Sequence, residues 1–147
     1  HELWLVAYRH EYPELPAPTR AGMIARLREP QLQVGEQVVW SARRDGRLVA
    51  LAIVNLPVDG NEHLALVQVT VHPDWRRQGI GTQLLRALEP GLRQRSRAQV
   101  EGWKVTIGGP GESWVRELGF RFVHTTMVQF MELGEVDRRR WNVAVAE

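Results

Sequence analysis

The stretch from His63 to Glu89, HLALVQVTVHPDWRRQGIGTQLLRALE, constrains this chain more than any other part of it. Leu64 to Val71 is a Val-rich apolar run broken only by Gln68 and Thr70, the pattern of a strand covered on both faces. Pro73 closes that run, because it lacks the N–H that a central strand must donate. Beyond it, Leu84, Leu85, Leu88 and Leu92 recur at helical spacing and form one apolar face. A buried strand, a tight basic turn and an amphipathic helix therefore follow one another directly.

The turn itself reads Arg76-Arg77-Gln78-Gly79-Ile80-Gly81-Thr82. Two glycines let a ligand approach the backbone closely, and the first N–H groups of the helix have no partner within it. Together with the helix dipole and two arginines, this makes a site for a phosphate or pyrophosphate. It is not a Walker loop, which needs Gly-Lys-Ser/Thr. Nor is it a dinucleotide fingerprint, since position 84 is Leu where a third glycine is required. The pattern that fits is R-x-x-G-x-G after a strand ending in V-x-V-x-P.

The rest of the chain reads as one α/β layer structure. His1 to Leu15, with Leu3, Leu5, Val6, Tyr8 and Tyr12, is compatible with a helix closed by Pro13, Pro16 and Pro18. Thr19 is the expected N-cap of a second helix that buries Met23, Ile24 and Leu27. Segments 37–42 and 47–56 read as strands joined by an Asp45-Gly46 hairpin turn. The leucine helix is expected to kink or break at Pro90-Gly91. Segment 98–107 has strand character, with Trp103 in the core as is Trp40, and Trp75 is expected to be partly exposed. A loop at 108–111 leads to a short helix over 112–118 stopped by Gly119. Segment 120–133 reads as two strands or one long bent strand, and 135–147 as a charged extension.

Order and motifs together resemble the GNAT acyltransferase superfamily over almost the whole chain. The R-x-x-G-x-G turn carries the resemblance, and W-V-R-E-L-G-F at 114–120 matches the family's short helix ending in Gly-Phe. The resemblance implies a mixed, mostly antiparallel central sheet flanked by helices and splayed at the CoA-binding strand. The family's usual first strand has only a poor candidate in 1–6. The resemblance also implies an acetyl-CoA or CoA cosubstrate. Its pantetheine arm would pair with the main chain of Val69 and Val71, and its pyrophosphate would lie on Arg76, Arg77, Gln78, Gly79, Ile80, Gly81 and Thr82. The acceptor would be an amine of a small molecule or peptide. Residues 1–134 are expected to be the acyltransferase domain. The arrangement also resembles tandem proteins in which 135–147 would begin a linker to a second such domain; a homodimer is the other expected association.

The usual acid–base groups are missing. The family's strand Glu falls here on Ala65, and its Tyr four residues before the Gly of Gly-Phe falls on Val115. The remaining candidates near the strand's start are Glu62 and His63, or a water held by Gln68; an imidazole is a side chain that can take up a proton at neutral pH. Both Glu62 and His63 read more readily as solvated turn residues than as a base. Acyl transfer thus competes with a GNAT-fold domain that binds CoA, or supports a second domain, without turnover.

Composition removes other classes. The chain has no Cys, so disulfides, thiolate metal sites and a cysteine nucleophile are excluded. No H-E-x-x-H or G-x-S-x-G occurs, and no metal is expected. The net charge of +2, with 17 acidic residues, does not point to nucleic acid. With no long apolar run and no leader pattern, the expected setting is cytoplasmic, away from membranes.

Overall fold

The structure is a computed structural model, and it describes residues 1–28 and 35–127. Two helices, α1 (Glu2–Glu11) and α2 (Arg20–Arg28), precede a sheet of four strands. These are β1 (Glu36–Arg44), β2 (Arg47–Leu56), β3 (Leu64–Val71) and β4 (Gln99–Gly102), in spatial order β1-β2-β3-β4. The first three run antiparallel, and β4 joins β3 in parallel. A single turn at Pro73–Trp75 and helix α3 (Ile80–Gln94) connect β3 to β4, and α4 (Pro110–Glu117) follows. This is the mixed, mostly antiparallel sheet flanked by helices that the sequence implies. No strand precedes β1 among the described residues, in keeping with the weak strand character of 1–6.

Local chemistry explains most of the boundaries. The β1–β2 hairpin turns on Asp45 and Gly46, both left-handed (φ 49° and 76°), the pair that a type I′ turn demands. Thr19 caps α2, its Oγ1 accepting from the Gly22 N–H at 3.1 Å. At the end of α4, Gly119 is left-handed (φ 85°). Its N–H bonds the Arg116 carbonyl while the Phe120 N–H bonds that of Val115, which completes a Schellman stop.

The core lies between the sheet and α3. Val49, Ala52, Val54, Ala65 and Val67 pack against Ile80, Leu84, Leu88 and Leu92. Burying each of those large side chains is worth roughly 1.5–3 kcal/mol, so the leucine face holds the helix on the sheet. The opposite face of β2 and β3 is covered by α1, through the buried Leu3 and Ala7.

Four expectations are corrected. Helix α3 runs through Pro90 to Gln94 without interruption, because Pro90 lies on the exposed side, where water can satisfy the carbonyl it leaves unbonded, and Leu92 stays buried. β4 ends at Gly102 instead of reaching Ile107, since Lys104 is left-handed (φ 59°) and cannot continue a strand. Segment 120–127 forms no strand, and Phe122, Val123 and Met127 are exposed; the remainder, 128–133, and the extension 135–147 lie outside the described residues. Ile24, Leu27 and Trp40 are exposed and Trp103 is half-buried, where all four were expected in the core; Trp75 is partly exposed, as expected.

Truncating the helix face should therefore be costly. Leu88→Ala is expected to lower unfolding stability by about 2–5 kcal/mol in urea denaturation. A loss under ~1 kcal/mol would mean that the helix is not held by this face.

Candidate functional site

The parallel pair β3–β4 is short. Leu64 to Val67 pair with Gln99 to Gly102, and the last bond is from the Trp103 N–H to the Val67 carbonyl, 2.9 Å. Because strand groups alternate in direction, Val69 and Val71 turn their N–H and C=O to the same side as Val67. That is the side β4 has left. On the other side, β3 stays paired with β2 as far as Val71. The sheet therefore forks where the sequence places a pantetheine arm.

A cavity of about 90 Å³ fills the fork on the α3 side, lined by Val67, Val69, Leu85, Trp103, Trp114 and Val115 among others. A second, of about 60 Å³, lies on the α1 side under Trp4, Tyr8 and Tyr12 and over Gln68 and Thr70. Glu11 and Lys104 line both, so the two cavities adjoin at the fork. Tyr12 braces it: its hydroxyl is 2.7 Å from the Thr106 Oγ1 across the gap.

At the end of β3, the turn residues separate by role. Arg77 and Gly79 are left-handed (φ 61° and 74°), and α3 starts at Ile80 with no side chain capping it. Its leading N–H groups, at Ile80, Gly81 and Thr82, are therefore free for an anion. A Cβ on Gly79 would meet nothing closer than Gln83 Nε2 at 3.8 Å, but one on Gly81 would touch the Trp114 ring at 3.3 Å. Gly81 thus lets α4 pack its indole on the first turn of α3, and the Trp114 Nε1–H donates to Thr82 Oγ1 at 3.0 Å. The Thr82 side chain is committed to packing, and only its main chain faces a ligand. Arg77 and Gln78 are exposed. Arg76 is drawn elsewhere: its Nε bonds the Val71 carbonyl at 3.1 Å and its Nη2 pairs with Glu11 at 2.8 Å. It fastens the end of β3 to α1.

Glu62 and His63 lie at the opposite end of β3, exposed, and neither lines a cavity. The Glu62 carboxylate accepts from the Gly60 N–H at 3.2 Å, and backbone N–H groups hold its pKa below the ordinary carboxylate value. Gln68 does face the α1-side cavity, but its Oε1 accepts from Arg26 Nη2 at 2.8 Å. Ala65 is fully buried and Val115 lines the fork, so neither missing group has been replaced in place.

Glu11, Tyr12, Lys104 and Trp114 gain importance only in three dimensions. A partial signal for them exists in the sequence, since Trp4, Tyr8 and Tyr12 are spaced for one helix face and Lys104 is the sole lysine. Burial lowers the Lys104 pKa from its ordinary 10.5, and the Arg26 charge lowers it further. The folded state thus releases this proton more readily than the unfolded chain. Stability from this group is least while both states are protonated and rises with pH through the folded pKa. In Lys104→Gln that rise should be absent, so the unfolding free energy of the parent minus that of the variant should increase with pH through this range. With one lysine, its methylated amine gives a single ¹³C-NMR side-chain signal, expected to titrate below 10.5; a value at or above it contradicts the burial.

The comparisons with known proteins agree with this geometry. Residues 1–106 match the model of the acetyltransferase (GNAT) family. No curated protein is similar enough in sequence to count as a relative. Among solved structures, aminoglycoside N-acetyltransferase AAC(6')-Iy in complex with CoA is 17% identical with a TM-score of 0.64, covering 88% of this chain and 87% of that one. The aminoglycoside 6'-N-acetyltransferase AAC(6')-IG of Acinetobacter haemolyticus is 16% identical with a TM-score of 0.63, over 90% and 92%. A transcriptional regulator from Bacillus halodurans is 16% identical, also at 0.63, over 88% and 91%. At these identities the likeness is one of fold. Family match, forked sheet and uncapped glycine turn agree, and the chain belongs to the GNAT acetyltransferase family.

Proposed function

We propose that this chain is an N-acyltransferase that uses acetyl-CoA and acts on the amine of a small molecule or peptide, with residues 1–134 forming the transferase domain. The observation that carries the proposal is that one strand, β3, ends beside both an open main-chain edge and a helix start with no side-chain cap. Its main chain at Val69 and Val71 faces the fork, and the free N–H groups of α3 follow within a few residues. An extended amide-bearing arm would add to β3 as a strand, and a pyrophosphate would rest on the amides of Gly79 to Thr82. Arg77 and Gln78, exposed beside the turn, are placed to meet the phosphates. Arg76 contributes by holding the strand end.

Transfer then needs the amine nitrogen to attack the thioester carbonyl. The C–N bond forms, the C–S bond breaks, and the thiolate leaves with the proton that the amine gives up. Among the described residues the one carboxylate lining the fork, Glu11, is paired with Arg76, so positioning supplies the rate and the amine must arrive uncharged. Glu62, with its lowered pKa, and His63, exposed beside it, enter this proposal as turn residues. Losing one general acid or base typically removes ~10²–10⁴ in rate. Ala65 and Val115 therefore favour a second reading, a domain that binds CoA and supports a partner domain with little turnover of its own.

Two outcomes follow. Acetyl-CoA at ~100 times its Kd should stabilise the chain by ~2.7 kcal/mol, read as a rise in Tm. Gly81→Val, which crowds Trp114 and the α3 amides, should abolish most of that rise; equal protection in the variant would place the cosubstrate elsewhere. The kcat for a simple amine should climb with pH, following deprotonation of the amine. Glu62→Gln and His63→Gln should leave that profile unmoved. A plateau governed by a group near pH ~6–7 and lost in either variant would instead assign that residue as the base.

A further inference from the structure

The α1-side cavity has an unusual balance of charge. Trp4, Tyr8 and Tyr12 form its roof, with ring centroids 5.9 and 5.0 Å apart along the helix. Glu11 is the sole carboxylate lining either cavity among the described residues, and Arg76 already neutralises it at 2.8 Å. Two further cations remain. Lys104 lines the cavity, and Arg26 stands behind two of its lining residues, 5.9 Å over the Trp4 ring and bonded to Gln68. Neither has a carboxylate partner among the described residues. Arg26 is half-buried and Lys104, although exposed, is partly desolvated, and the Arg26 charge makes that of Lys104 costlier to hold.

We propose that this cavity takes an amine acceptor that also carries an anionic group, a carboxylate or a phosphate, held between Lys104 and Arg26 with its flat or apolar body against Trp4, Tyr8 and Tyr12. The inference rests on the acyl-transfer reading for the word acceptor; the anion site itself does not. An anion there relieves the repulsion between two cations and gains charge-assisted hydrogen bonds from both. The anchoring group would leave the amine free to reach the fork, since Lys104 lines both cavities. A polycationic acceptor, such as the aminoglycosides named for the solved structures of like fold, would instead add to the positive charge.

The test uses ligands of one shape and different charge: 3-phenylpropionate, 2-phenylethyl phosphate and phenethylamine, followed by calorimetry and by the single lysine ¹³C signal. Both anions, or one of them, should bind about tenfold or more tightly than phenethylamine and raise the Lys104 pKa. The ratio between the two anions tells carboxylate from phosphate. Lys104→Gln and Arg26→Gln should each weaken the anion by about tenfold, and Arg26→Gln, which lies outside the fork, should leave the acetyl-CoA effect on Tm in place. Phenethylamine binding as tightly as either anion, no anion binding, or unchanged affinity in both variants overturns the inference. Anion binding without any acetyl-CoA effect on Tm would leave the anion site standing and remove the acyl-transfer reading alone.

Discussion

One hydrogen bond marks where this molecule stops being a closed sheet. After the Trp103 N–H bonds the Val67 carbonyl, Lys104 enters a left-handed conformation, and β4 turns away while β3 continues on β2. A parallel edge strand with a full ladder would have satisfied Val69 and Val71 and sealed both faces. By ending early, β4 leaves main-chain groups with hydrogen-bonding capacity beside two connected cavities. The Tyr12–Thr106 bond and the Arg76 bridge from Val71 to Glu11 fix the fork from α1. The opening is held by groups that are not themselves part of the ladder.

The other half of the site depends on packing between helices. Gly81 has two requirements placed on it: room for the Trp114 ring, and an N–H left free at the first turn of α3. The leucine face then anchors the same helix to the sheet, so the turn cannot drift from the end of β3. The proposed cosubstrate site and the core therefore share one element, and mutations in the turn should be read for stability as well as for binding.

The legible parts of the sequence were those set by local chemistry. The β2 and β3 boundaries, the Asp45-Gly46 hairpin, the Thr19 cap and the Gly119 stop follow from residue types at fixed offsets. The strand–turn–helix order around the glycines was legible for the same reason. What failed depended on partners. Pro90 was expected to break α3 because propensity ignores the exposed side on which its missing bond is harmless. Segment 120–127 has the Phe, Val and Thr content of a strand yet pairs with no strand among the described residues. The role of Arg76 could not be read from a motif, because its guanidinium pairs with Glu11, 65 residues away. Likewise, the effect of the Arg26 charge on Lys104 joins residues far apart in the chain that no local pattern links.

The central claim is that the open edge of β3 and the first turn of α3 form one cosubstrate site. Residue-resolved amide hydrogen exchange with and without CoA tests it most directly. The account predicts slowed exchange at Val69 and Val71 together with Gly79 to Thr82, and little change at Leu66, whose neighbours on both sides are already paired. Protection confined to other segments, or none at Val69 while CoA is demonstrably bound, would contradict it.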